Sequence, residues 1–106
     1  MKKVIKIAID GTLSLIDIAD MNQSVPYARR LNSKFFYVWD DGFEGSDIVN
    51  KIATKVTSET QSGDIFIVKS DYDVTGFLDK DDCKSCSEYD LQLFERLKDN
   101  LYDFDF

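Results

Sequence analysis

The chain has 106 residues, 43% of them hydrophobic and 13% aromatic, and its net charge is −7. This length fits a single domain, and the apolar content exceeds that of a disordered chain. No run approaches the ~18 apolar residues of a membrane span, and no cleavage site follows the N-terminal lysines, so we expect a cytoplasmic protein. There is no histidine, which argues against most hydrolase, transferase and zinc chemistry but leaves carboxylate chemistry open.

The negative charge is concentrated in the last third of the chain. Residues 1–69 carry nine acidic and nine basic side chains, whereas residues 70–106 carry eleven acidic and four basic ones. Such a charge repels nucleic acid and anionic lipid, and it attracts basic protein surfaces or cations. It also fits a surface that only keeps the protein in solution.

The first predicted element is a β-hairpin. Asp10–Gly11 lies between two apolar segments, and this dipeptide favours a tight two-residue turn. We place the hairpin strands at Val4–Ile9 and Thr12–Ile18. The odd-numbered residues of the first strand make the better core face.

The segment IAIDGTLSL also resembles the first motif of the haloacid dehalogenase-type phosphatases, over Asp10 to Leu13 alone. That motif is a strand followed by Asp-x-Asp-Gly-Thr-Leu, so the resemblance implies a nucleophilic aspartate two residues before Asp10. Ala8 occupies that position, and the chain is short for that fold. The hairpin is therefore the preferred interpretation.

Four elements follow in the middle of the chain. A short helix is predicted over residues 24–32, with Ser24 as its cap. An aromatic-rich strand is predicted at Lys34–Trp39. A helix capped by Ser46 shows apolar residues at helical spacing. Ile65–Lys69 is a nearly continuous apolar strand, which predicts a central position in the sheet.

The last helix is predicted from about Glu88 to Tyr102, with Ser87 as its cap. Its predicted buried stripe contains Tyr89, Leu93, Phe94, Leu97 and Leu101, and it extends to Phe104. The resulting fold class is α+β, with a small single-layer mixed or antiparallel sheet packed by two or three helices. The sheet would hold the N-terminal hairpin and two further strands. Residues 1–106 would form one domain, with the acidic loop and C-terminal helix at 70–106.

The loop after the last strand resembles the calcium loop of EF-hand proteins. Its oxygen-bearing side chains stand at the ligand positions around Gly76, and they are Asp71, Asp73, Thr75, Asp79 and Asp82. Because such oxygens wrap a hard cation, the resemblance implies a calcium or magnesium site. Thr75 is a poorer ligand than Asp or Asn, and Asp82 replaces a longer glutamate. A strand rather than a helix precedes the loop, and no other cofactor is predicted.

Cys83-Lys84-Ser85-Cys86 raises the question of redox chemistry. A C-x-x-C pair at a helix N-terminus can have a lowered thiol pKa. A thioredoxin-like motif, however, should follow an early strand, whereas only one helix follows here. Zinc would need ligands beyond two cysteines. Two ordinary thiols or an incidental disulfide are the preferred interpretation.

The last third also predicts a protein-binding surface. Carboxylates on a rigid helix can imitate a row of phosphates, and aromatic anchors inside a charged rim are typical of binding hot spots. The predicted partner-binding residues are Asp79, Asp81, Asp82, Glu88, Asp90, Glu95, Asp99, Tyr89 and Tyr102. In composition the chain is similar to small acidic phage inhibitors of nucleic-acid enzymes and defence systems, including DNA mimics and anti-CRISPR proteins.

Three hypotheses follow, and the first is a non-enzymatic inhibitor or regulator. It would bind the basic surface of a nucleic-acid-binding protein, without direct contact to nucleic acid or membrane. The second is a calcium- or magnesium-binding module that uses residues 71–82. The third is a small carboxylate enzyme with Asp40, Asp41 or Asp71 as acid or base.

Overall fold

The computed structural model describes residues 2–21, 27–39 and 48–103, without the side chains of residues 39 and 100–103. Within these ranges, 3₁₀ turns lie at Ile18–Asp20 and Lys80–Asp82. The α-helices of the described residues are α1 (Lys51–Thr57) and α2 (Glu88–Asp103). The strands in this part of the chain are β1 (Lys3–Ile7), β2 (Leu13–Asp17), β3 (Tyr27–Arg30), β4 (Phe35–Trp39), β5 (Ile65–Lys69) and β6 (Gly76–Phe77).

The strands form one antiparallel sheet in the order β2-β1-β5-β4-β3-β6. The α+β class is therefore confirmed, although the sheet has six strands where the sequence predicts four. The central position of β5 is also confirmed, since β5 pairs with β1 on one side and β4 on the other.

The N-terminal hairpin forms, but its turn differs from the prediction. The strands stop at Ile7 and restart at Leu13, which leaves a five-residue connection. Within it Ala8 N–H donates to the Thr12 carbonyl at 2.9 Å, and Gly11 adopts a φ of 90°. The Asp10–Gly11 pair thus supplies the bend and the positive φ, while the Ala8–Thr12 pair encloses three residues, one more than in a tight type I′ turn.

The helix predicted over residues 24–32 is wrong in the part that the structure describes. Tyr27–Arg30 is strand β3, which pairs with β4 and β6 and buries Ala28. Long-range pairing has overridden a weak helical pattern. Ser24, the predicted cap, lies outside the described residues.

Helix α1 starts later than the sequence predicts. Ser46 lies outside the described residues, and the cap of the described helix is Asn50. Asn50 is fully buried: its Oδ1 accepts Ala53 N–H at 3.0 Å, and its Nδ2 donates to the Ile7 and Gly63 carbonyls at 2.9 Å each. One side chain therefore caps the helix and ties it to the end of β1.

The sheet buries both of its faces. The face that carries Ile5 and Ile67 packs under α1 and α2, and we call it the helix face. The opposite face carries Val4 and Phe36, and we call it the loop face. The loop face is covered by the segment after β5 and by the turn after β2, through Ile18, Met21, Val74, Leu78 and Cys83. Both α-helices thus lie on one face, and irregular chain covers the other.

Candidate functional site

The predicted cation loop is part of the covering of the loop face. Val74 and Leu78 are 6% and 8% exposed, and they pack with the sheet residues of that cluster. Ser70 Oγ donates to the Asp82 carbonyl at 2.7 Å and accepts Tyr72 N–H at 3.1 Å. These contacts close the loop at its base, so its path is set by packing and by its own hydrogen bonds.

The first two predicted cation ligands form ion pairs. Asp71 lies 2.6 Å from Lys84 Nζ, and Asp73 lies 3.0 Å from Arg30 Nη2. The hydrogen bond from Lys84 lowers the pKa of Asp71. Hydrogen bonds from Thr75, together with Arg30, lower the pKa of Asp73 to about 2. Both carboxylates are therefore ionised, and both already have a cationic partner.

Two of the remaining predicted ligands, Thr75 and Asp79, also form hydrogen bonds within the segment itself. Thr75 N–H donates to Asp73 Oδ1, and Asp79 Oδ1 accepts Asp81 N–H at 2.9 Å. Among residues 2–21, 27–39 and 48–103, no three Cys, Asp or Glu side chains are grouped so that they could hold a metal ion. The geometry thus gives the cation hypothesis no support. Asp40 and Asp41 of the enzyme hypothesis lie outside the described residues.

Three exposed carboxylates lie around the second 3₁₀ turn. They belong to Asp79, Asp81 and Asp82, and none of them forms an ion pair with another described residue. Lys2 Nζ donates to the carbonyls of Lys80 and Asp81 at 3.2 and 2.9 Å. The N-terminal strand thereby fixes this turn, and its carboxylates remain open to a partner.

The C-x-x-C segment carries the chain from one face of the sheet to the other. Lys84 N–H donates to the Lys69 carbonyl and Cys86 N–H to the Lys3 carbonyl, so the segment lies between the ends of β5 and β1. Cys83 is buried in the loop-face cluster and Cys86 in the helix-face cluster. Burial raises their pKa values to about 11 and about 12. Both are free, buried thiols, and their burial favours a structural role over a reactive one.

Asp90 is not part of the exposed acidic surface. It is 4% exposed, and its Oδ2 lies 3.1 Å from Lys69 Nζ and accepts Ser87 N–H at 2.8 Å. Ser87 Oγ in turn accepts Asp90 N–H, which completes a capping box. The predicted cap at Ser87 is thus confirmed. The assignment of Asp90 to partner binding is corrected, because its carboxylate is used inside the protein.

The outward side of α2 carries a line of carboxylates. Glu88 and Asp99 are exposed, and Glu95 between them is partly exposed. Residues 7 and 11 positions apart lie on the same side of a helix, about 10 Å and about 16 Å along its axis. These three residues, which we call the acidic line, are retained from the predicted set.

A second exposed line on α2 is apolar. Tyr89 is 63% exposed, Leu93 is 37% and Leu97 is 39%, and the spacing of four residues places them on one flank of the helix. The sequence assigns all three to the buried stripe, and this assignment is wrong. Phe94 is the residue that packs inward, 5.2 Å from the Phe35 ring in an edge-to-face contact. We call the three exposed residues the apolar line.

The apolar line borders an open groove of about 320 Å³ between the helices and the β3–β4 turn. Among the described residues that line it, Asn32 is the polar one, and Asn32 Oδ1 already accepts the N–H groups of Lys34 and Phe35. The groove therefore offers an apolar binding site without acid or base groups in its lining. It is lined by Leu31, Asn32, Phe35, Val56, Leu93, Phe94 and Leu97.

Sequence reasoning missed this groove because Leu31 was placed in a helix and two leucines of α2 in the core. It also missed an exposed aromatic pair. Tyr27 and Phe77 are 44% and 77% exposed, and their rings meet edge to face at 5.4 Å. This pair depends on the pairing of β3 with β6, which no local pattern indicates. The side chain of Tyr102, a predicted partner-binding residue, lies outside the described part of α2.

Comparison of the chain with protein-family models, with curated proteins and with solved structures gave no match. No α-helix in the described ranges has the length and apolar content that a membrane crossing requires. Any inference about function therefore starts from the two lines on α2, the groove and the carboxylates of the 3₁₀ turn.

Proposed function

We propose that the chain is a non-enzymatic inhibitor or regulator that binds a basic protein surface through the exposed side of α2. The observation that carries this proposal is the pairing of two lines on one rigid helix. The acidic line Glu88, Glu95 and Asp99 and the apolar line Tyr89, Leu93 and Leu97 lie on two flanks of the exposed side of α2, with the exposed Gln92 and Arg96 between them. Apolar anchors next to a charged rim are the arrangement that concentrates binding energy in protein interfaces.

The apolar line supplies the anchor. An apolar side chain of the partner would enter the groove and cover Leu93 and Leu97, each of which still exposes more than a third of its surface. Covering such surface contributes about 25 cal/mol per Å². Truncating either leucine to alanine would remove about 1.4 kcal/mol of this binding free energy. Because ~1.4 kcal/mol corresponds to one factor of ten in the dissociation constant, binding should weaken about tenfold.

The acidic line selects the partner. Three carboxylates on one flank of the helix attract lysine and arginine and repel acidic surfaces, although Arg96 and Lys98 of the same helix lie near them. Asp79, Asp81 and Asp82 add further negative charge on the second 3₁₀ turn. Such attraction raises the association rate and falls as salt is added, because the charges are exposed.

The class of partner we propose is a nucleic-acid-binding protein, whose lysines and arginines contact phosphates. A net charge of −7 disfavours direct binding of nucleic acid. It can instead occupy a surface that otherwise binds phosphates. We keep the cytoplasm as the proposed location, which fits two free thiols.

The test starts with capture of partners from a lysate by the tagged protein, at low and at moderate salt, followed by affinity measurements on each captured protein. The charge variants are Glu95→Lys with Asp99→Lys, and separately Asp79→Lys with Asp81→Lys. Asp20→Lys is the matched control, since Asp20 is an exposed aspartate on the other 3₁₀ turn.

The proposal is supported if a nucleic-acid-binding protein is captured and at least one of the two double charge variants binds it at least tenfold more weakly at low salt. The Asp20→Lys variant should bind the same protein as tightly as the unaltered chain. Duplex DNA should compete with the chain for that protein. If both charge pairs leave the affinity unchanged at low salt, the acidic-surface proposal is wrong. If Leu93→Ala also has no effect, α2 is not the binding element.

A further inference from the structure

Strand β2 forms one edge of the sheet, and its backbone polarity can be worked out from two hydrogen bonds. Ala8 N–H donates to the Thr12 carbonyl, and Ile18 N–H donates to the Lys2 carbonyl, each at 2.9 Å. The pairs 8/12 and 2/18 are thus hydrogen-bonded pairs of the β1–β2 register. Bonded pairs alternate in an antiparallel ladder, so residues 14 and 16 point their backbone groups toward β1.

The backbone groups of Leu13, Leu15 and Asp17 therefore point away from the sheet. None of these three N–H and three C=O groups has a hydrogen-bond partner within the described part of the chain. Yet the strand is held extended, because Leu13 is buried and Leu15 packs against the helix-face core. A fixed row of unpaired donors and acceptors is a template for another strand.

This edge carries only one of the features that usually protect an edge strand, the charged side chain of Asp17. Its sequence, Leu-Ser-Leu-Ile-Asp, contains no lysine or proline, and its register with β1 has no bulge. The opposite edge is protected differently, because β6 has only two residues, and one of them is Gly76 with a φ of 103°. β2 is thus the edge that is suited to strand pairing.

We propose that β2 pairs with β2 of a second copy of this chain, antiparallel about a two-fold axis at Leu15. In this register Leu15 faces its own symmetry mate and Leu13 faces Asp17 of the other copy. Every outward N–H then meets an outward C=O, which gives six hydrogen bonds. Shifting the strands by two residues in either direction leaves some of these groups without partners, so the edge is complementary to itself in one register.

Charge complementarity also favours a second copy. Side chains alternate along a strand, so Asp17 starts from the helix face with Leu13 and Leu15. Its Oδ1 accepts Ala19 N–H at 3.0 Å, and its Oδ2 has no hydrogen-bond partner among the described residues. In the dimer it would lie beside Leu13 of the other copy, two residues from Gly11. In each copy Lys98 Nζ lies near this end of β2, since it donates to the Gly11 carbonyl at 2.6 Å. The two-fold axis would therefore bring Asp17 of each copy toward Lys98 of the other.

The dimer would join two sheets into one of twelve strands, with both α2 helices on the same side, because the axis is normal to the sheet. One strand pair buries a small interface, so we expect association at about 10 µM to 1 mM rather than a permanent dimer. This proposal does not depend on the proposed function, since it rests on the outward backbone groups of β2 and not on the acidic line.

The first test is the mass in solution by sedimentation, together with amide hydrogen exchange, both from 10 µM to 1 mM. Dimerisation through β2 predicts that the amides of Leu13, Leu15 and Asp17 become protected as concentration rises. The amides of Ser14 and Ile16 should be protected throughout, because they are bonded to β1. A monomer at every concentration overturns the proposal, and so does a dimer that leaves the three outward amides unprotected.

Variants give an independent test. Leu15→Pro removes an outward N–H at the axis and should shift the association midpoint at least tenfold. Asp17→Lys and Lys98→Asp should each weaken the dimer, and the double variant should restore it. Phe77→Lys on the opposite edge is the control and should have no effect. If the charge-swapped double variant stays as weak as the single variants, the proposed register is wrong.

Discussion

Replacing Asp90 with alanine would remove the carboxylate that holds the start of α2 to the sheet. Loss of a helix cap costs about 1 kcal/mol. Leaving the Lys69 ammonium and the Ser87 N–H without their partner adds about 1–3 kcal/mol. Lys69 keeps 26% of its side-chain surface exposed, so the ~3–5 kcal/mol of a fully buried pair is not reached. We expect Asp90→Ala to lower the free energy of unfolding by about 2–4 kcal/mol.

The effect should depend on pH with a definite sign. Burial acts to raise the pKa of Asp90, but the hydrogen bonds from Ser87 and Lys69 outweigh it, so the pKa lies below its ordinary value of 3.8. A pKa that is lower in the folded state means that the carboxylate stabilises the fold above its unfolded-state pKa. This contribution is lost as the pH falls through the folded-state pKa.

Urea denaturation at pH 7 and at points between pH 5 and pH 3 would measure both effects. Asp99→Ala is the control, because Asp99 is exposed on the same helix and should change stability by less than about 0.5 kcal/mol. If Asp90→Ala costs no more than Asp99→Ala at pH 7, the carboxylate does not hold the helix. If the cost of Asp90→Ala stays constant down to pH 3, the ionised form is not what stabilises the fold.

Three further outcomes are expected. Asn50→Ala should destabilise the fold by about 2–4 kcal/mol in thermal or urea unfolding, because it leaves buried backbone groups unpaired, and a loss below about 1 kcal/mol would contradict its role. Cys83 and Cys86 should react with a disulfide reagent at pH 8 only as fast as the protein unfolds, since burial raises both pKa values; rapid labelling of the folded protein would contradict this. Calorimetric titration with millimolar calcium should be flat, because Asp71 and Asp73 are held in ion pairs, whereas saturable heat would restore the cation hypothesis.

The elements that the sequence predicted correctly are those with strong local signals. The apolar run of β5, the hairpin around Asp10–Gly11 and the capping box at Ser87 depend on neighbouring residues. β3 and β6 were missed because each exists only through pairing with a distant strand. Tyr-Ala-Arg-Arg carries no strand signal of its own, and Gly-Phe is too short to show alternation.

The candidate site also contains one part that could be predicted from the sequence and one part that could not. The acidic line could be predicted, since charged residues at helical spacing on a capped helix are expected to be exposed. The apolar line could not, because whether Leu93 and Leu97 are buried depends on how far α1 and the β3–β4 turn extend over α2. Here the described α1 has seven residues and ends at Thr57, so the flank of α2 beside Val56 stays partly open and forms the groove.

The concentration of acidic residues in the sequence does not carry over unchanged into space. Asp73 and Asp90, from the acidic third, are paired with Arg30 and Lys69, which come from the part of the chain with no net charge. Each pair neutralises one carboxylate of the last third and, at the same time, one cationic side chain of residues 1–69. The negative field is therefore more widely distributed than the sequence suggests. A binding surface is better defined by the exposed carboxylates of α2 and the 3₁₀ turn than by the net charge of residues 70–106.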